Sequence, residues 1–166
     1  MKKQNILFAL IVCTLLGVAC KKNTADNNPN PNPNPNPTAT DSLAVLRIDL
    51  SGLKNTNGVV NVALYNSAAS FNKPAQAYKQ AIVTPSATSF TIVFDSITPG
   101  TYAFGLFHDE NNDATLNTNI LTIPTEGFAF SNNAMGTFGA PTFAQAQFTL
   151  AKKDTLTQTI TLKFLP

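Results

Sequence analysis

The sequence contains no tryptophan, a single histidine, and two cysteines that both fall within its first twenty residues. With no thiol beyond Cys20, the remainder can form neither a disulfide framework nor a cysteine metal site, and one histidine cannot supply a zinc centre. Charge is sparse, with 12% of residues being Asp, Glu, Lys or Arg. The formal net charge of +2 misleads, because Lys2, Lys3, Lys21 and Lys22 sit near the N-terminus; from residue 41 onward eight acids stand against seven bases. A near-neutral domain lacks the basic footprint that engages phosphates, so nucleic acid is not expected as a partner. No stretch has the sustained helical periodicity of a long amphipathic helix.

What the N-terminus does have is an address. Met1-Lys2-Lys3 forms a positive start, and Ile6 to Val18 is an apolar run too short to span a bilayer comfortably, the pattern of a signal peptide over residues 1–19. Leu16-Gly17-Val18-Ala19-Cys20 then resembles the lipobox of bacterial lipoproteins, in which the cysteine is lipidated and becomes the new N-terminus. The leucine stands one place further from the cysteine than is usual, and Gly17 and Ala19 also suit an ordinary signal-peptidase cut. Lipidation at Cys20 is the expectation, since the rival leaves an unpaired thiol on an exported protein. It predicts an exported chain held by lipid in the cell envelope, at the outer membrane or the periplasmic face. Several acyl chains on one residue anchor stably where a single chain does not. Pro29 to Pro37 alternates strictly between Pro and Asn, which favours an extended spacer within residues 20–40.

From residue 41 to 166 the apolar period is two. Ala44, Leu46, Ile48 and Leu50 alternate with more polar neighbours, as do Val60, Val62 and Leu64 after Asn57-Gly58. Phe90, Ile92 and Phe94 form another strand, and Tyr102, Phe104 and Leu106 follow Thr98-Pro99-Gly100. Ala146 to Leu150 and Leu156 to Phe164 give two more, with Tyr78–Val83 as a weaker seventh. The expected fold is all-β, an immunoglobulin-like or transthyretin-like antiparallel β-sandwich of about seven strands. One connection is out of scale: residues 109–145 form a loop far longer than compact domains ordinarily carry, so any site is expected there.

That loop opens with His108-Asp109-Glu110-Asn111-Asn112-Asp113. Oxygen-bearing side chains at Asp109, Asn111, Asp113 and Asn117, with the Thr115 carbonyl, match positions 1, 3, 5, 9 and 7 of a calcium loop. Ala114 stands where glycine makes the sharp turn, and Ile120 where a bidentate carboxylate is required, so Glu126 would have to fold back to complete an ion shell. The competing reading is an Asx-rich turn capped by its own side chains. Calcium is the one cofactor the pattern raises.

The chain also resembles the uncharacterised bacterial family catalogued as domain of unknown function 2141, over about residues 43–164. The resemblance rests on Gly58-Val59-Val60-Asn61-Val62-Ala63-Leu64-Tyr65, on Pro99-Gly100-Thr101-Tyr102, and on His108-Asp109-Glu110-Asn111. It continues through Ile123-Pro124-Thr125-Glu126-Gly127-Phe128, Phe130-Ser131-Asn132-Asn133 and Phe138-Gly139-Ala140-Pro141. It implies the sandwich fold and no activity. Family members typically carry glycine at the position of Ala114 and aspartate at that of Asn117.

His108 is the only ready-made base near neutral pH. No nucleophile-elbow glycines surround any serine, and no catalytic residue is assigned. The leading expectation is a non-catalytic module that binds a protein or glycan of the envelope, with His108 and Glu126 as candidate binding residues. The alternative is a periplasmic or surface hydrolase using His108 and Glu126. Phe128, Phe130, Phe138, Phe143 and Phe148 are expected to pin the long loop to the core rather than to form an exposed patch.

Overall fold

The structure is a computed structural model that describes residues 42–166; the expected signal peptide, Cys20 and the expected Pro-Asn spacer lie outside the described residues. Eight strands form two sheets. Strands β1 (Ala44–Ser51), β4 (Ser89–Ile97) and β8 (Thr155–Thr161) make one, in the order β4-β1-β8. Strands β2 (Val59–Tyr65), β3 (Lys79–Val83), β5 (Gly100–Asp109) and β6 (Phe128–Phe130) make the other, in the order β3-β2-β5-β6, with β7 (Phe148–Leu150) also on β5. The one α-helix among the described residues, α1, is the single turn Phe143–Ala146, closed by a Thr142–Gln145 capping box.

The alternation read from the sequence places the core. Ala44, Leu46, Ile48 and Leu50 meet Val60, Val62, Leu64, Phe104 and Leu106 between the sheets, with Ile92, Phe94, Ile97 and Ile160 completing the layer. Each Val, Leu, Ile and Phe side chain among them contributes about 1.5–3 kcal/mol on burial, which lets the domain hold together without a disulfide. The mostly β, two-sheet sandwich is therefore as expected.

Three features differ in detail. Strand β8 runs parallel to β1, pairing Val45 with Thr155 and Ser51 with Thr161, while β1 and β4 are antiparallel. A parallel pair needs a long crossover, and here the whole domain lies between its two strands. The Asn57-Gly58 turn carries the chain from one sheet to the other, since β1 and β2 are not paired neighbours. Finally, the long connection is not structureless: it contains β6, a 3-10 turn at Ser131–Asn133, and α1.

Candidate functional site

Strand β5 positions the loop. Its outer edge is covered by β6 at Gly105–Phe107 and by β7 at Gly100–Tyr102. Between them the backbone N–H of Phe104 would lack a partner, and the Ser131 hydroxyl fills the gap at 3.0 Å while donating to the Ala146 carbonyl at 2.6 Å. Asn132 exchanges hydrogen bonds with the Gln158 side chain at 2.9 and 3.0 Å. Asn133 donates to the Thr159 carbonyl and accepts from the Thr161 N–H at 2.9 and 3.0 Å, lying along the free edge of β8. In the sequence, the Phe130-Ser131-Asn132-Asn133 motif is the signal that marks these three residues, and it does not disclose their partners.

The first half of the loop is organised by carboxylates. Asp109 leaves β5 on the face opposite His108 and accepts from the backbone N–H of Asp113 and Ala114 at 3.1 and 2.8 Å, with the Asn61 amide at 3.3 Å. Glu126 folds back as the sequence required. Its two oxygens, however, accept from the N–H groups of Glu110 and Asn117 at 3.1 and 2.9 Å, clamping the loop base. Asn111, Asp113 and Asn117 meet head to head: both amides donate to Asp113 Oδ2 at 3.0 and 2.9 Å, and Asn111 also donates to Asn117 Oδ1 at 3.1 Å. Thr115 contributes its N–H to Asp113 Oδ1 at 2.8 Å. Hydrogen bonds from Asn117, Asn111 and the Thr115 N–H together hold the Asp113 carboxyl below its ordinary range. Ala114 adopts φ +62°, the left-handed conformation that glycine takes without cost. Among the described residues no three His, Cys, Asp or Glu side chains are grouped so as to hold a metal ion.

His108 is fully buried at 0% exposure. Its Nε2 lies 2.7 Å from the Asn57 carbonyl, which can only accept, so Nε2 carries the hydrogen; Nδ1 has no partner. Gly58 is held at φ +66° against the Asp109–Glu110 backbone, where any Cβ would collide with the Asp109 carbonyl. The ring of His108 thus ties the connection between β1 and β2 to the end of β5. Neither His108 nor Glu126 lines the two depressions described next, and both side chains are buried with their reachable polar atoms turned to backbone groups.

The depressions lie elsewhere. A groove of about 610 Å³ runs over the outer face of the five-stranded sheet, floored by Asn61, Ala63, Gly105 and Phe107 and bounded by Ile82, Leu116 and Phe130. It is lined by no Asp, Glu, Lys, Arg or His. Phe71 packs edge-on to Tyr65 and Phe143 and tilted against Phe130, forming a small second core beside the groove. Phe128, Phe130, Phe143 and Phe148 therefore pin the loop as expected, whereas Phe138 does not: it projects into solvent. Tyr65 and Tyr102 are buried, and burial raises the pKa of both phenols.

Compared with known proteins, residues 48–158 match the model of the family described as "Uncharacterized protein conserved in bacteria (DUF2141)". No curated protein and no solved structure matches the chain.

Proposed function

Because the chain belongs to this uncharacterised bacterial family, whose description carries no activity, we propose that it is an exported, lipid-anchored, non-catalytic binding module of the cell envelope. The observation that carries the binding role is the charge-free groove on the outer face of the five-stranded sheet. Pockets lined by apolar groups and a few fixed amides suit recognition, and the loop's buried Asp109 and Glu126 are committed to holding backbone N–H groups. The ligand is an uncharged, partly apolar segment of an envelope protein or glycan. The signal peptide, lipobox cysteine and Pro-Asn arm read from the sequence support delivery and display outside the cytoplasm.

Two measurements test the proposal in cells exporting the chain. Fatty-acid label should be incorporated by the native chain and lost with Cys20→Ser. Photo-cross-linking from position 63 in the groove should give an envelope adduct that position 93, on the opposite sheet, does not. Equal or absent adducts from the two positions would overturn the binding role, and recovery from the cytosol with residues 1–20 intact would overturn the anchor.

A second reading adds a calcium ion to the first half of the loop, favoured by the convergence of Asn111, Asp113 and Asn117. Rotating the two amides by half a turn would present three oxygens where two N–H groups now neutralise one carboxylate, with the Thr115 carbonyl as a fourth ligand. Calcium should then raise the unfolding midpoint with the logarithm of its concentration, and a chelator should reverse the rise.

A further inference from the structure

Two turns of the long loop push apolar side chains outward. Ile120 is 99% exposed, Leu121 70% and Phe138 100%. Their chain neighbours, Thr118 and Thr122 on the first turn and Thr137 and Gly139 on the second, line one cleft of about 380 Å³. Such residues are ordinarily turned inward, and three together on protruding turns mark a surface that meets something apolar.

The first turn is preformed. The Asn119 side chain accepts from the N–H groups of Leu121 and Ile123 at 2.9 and 3.1 Å, the Thr122 N–H reaches the Asn119 carbonyl at 2.9 Å, and the Asn119 N–H reaches the Ile123 carbonyl at 2.9 Å. These backbone groups are satisfied within the turn, which is what entry into an apolar medium demands. Charge is missing as well: from Ala114 to Gln147 the only ionisable side chain is Glu126, which is buried with both oxygens engaged.

We infer that the Ile120–Leu121 and Phe138 tips insert into the surface of a lipid bilayer. The partner is the hydrocarbon just beneath the headgroups of neutral or zwitterionic lipid, since the segment that carries the tips, residues 114–147, holds no lysine or arginine to select anionic lipid. A bilayer fits better than a protein because the surface is two convex tips around an open cleft, which a deformable medium can follow.

The inference rests on the proposed anchor at Cys20, which supplies the bilayer. The 21 residues between Cys20 and Ser42 span at most about 75 Å. A domain of this size has a radius of gyration of about 14 Å, so the arm lets any of its faces reach the membrane. Tethering turns insertion into an intramolecular step, so even weak tips are populated on the surface.

The absence of tryptophan makes the test direct. The full chain, exported and processed in a bacterial host, carries Phe138→Trp as its only indole, or Val93→Trp on β4 as a control, and is reconstituted into phosphatidylcholine vesicles with brominated tails. Mass spectrometry of the same preparation reads acylation of Cys20. Expected are a blue shift and loss of emission at position 138, none at position 93, and recovery of the emission when Ile120→Ser and Leu121→Ser remove the facing tip. An acylated chain that floats with the vesicles but keeps an unquenched indole at position 138 overturns insertion and leaves the anchor standing. If Cys20 proves unacylated, the anchor reading fails, and the same quenching still decides whether the tips enter the bilayer. A blue shift without vesicles that grows with protein concentration means that a second copy covers the tips, and overturns the inference.

Discussion

The two halves of the long loop solve the same problem with different chemistry. Residues 109–126 are held by the carboxylates of Asp109 and Glu126, which gather backbone N–H groups from within the loop itself. Residues 127–147 are held by neutral groups, Ser131, Asn132 and Asn133, that reach β5, α1 and β8. The first half is a self-organised appendage held from within by two buried carboxyl groups. The second is stitched to both sheets, and its hold is indifferent to pH.

The sharpest way to break that contrast is at Ser131. Ser131→Ala leaves the buried Phe104 N–H without a partner and removes the closer of two donors to the Ala146 carbonyl, so urea unfolding should show a loss of about 2–4 kcal/mol felt by the whole domain. Glu126→Gln, able to accept at only one terminal atom, should cost about 1–2 kcal/mol. Hydrogen exchange should place that loosening at the amides of Glu110 and Asn117, leaving the sheets as they were. Ala114→Gly goes the other way, relieving the left-handed backbone at φ +62° and stabilising the domain by about 0.5–1 kcal/mol. If the loop takes calcium, this variant should also bind it more tightly.

The smallest effect is a titration. Asp113 has a folded pKa below its ordinary value of 3.8, chiefly through the hydrogen bond from Asn117. Its contribution is therefore fully present above the ordinary value and lost as pH falls through the lower folded one. The Thr115 amide resonance should follow that transition with a midpoint below 3.8, and Asp113→Asn should abolish it, while the Thr161 amide held by Asn133 stays unmoved.

The same contrast explains what could be read from the residues alone. Strands β1, β2, β4, β5 and β8 announce themselves because one face of each is buried and a period of two records it; even Lys79–Val83 was visible. The Asx spacing of 111, 113 and 117 is likewise local, and those three side chains hydrogen-bond to one another. What stayed hidden is long-range. Nothing in a three-residue strand such as Phe128–Phe130 marks it as paired, and alternation does not say that β8 runs parallel to β1. Asn57-Gly58 specifies a bend but not which strands the bend joins. Ser131 reads as one serine among many until β6 and β7 are seen to leave Phe104 uncovered between them.

Asn133 carries one last implication. An open strand border is an invitation to pair with whatever chain drifts past. By presenting its amide to Thr159 and Thr161, this side chain imitates a neighbouring strand for one step of the ladder. The last strand of the sandwich is thereby shielded at its C-terminal end, where a second copy would otherwise find free ladder groups.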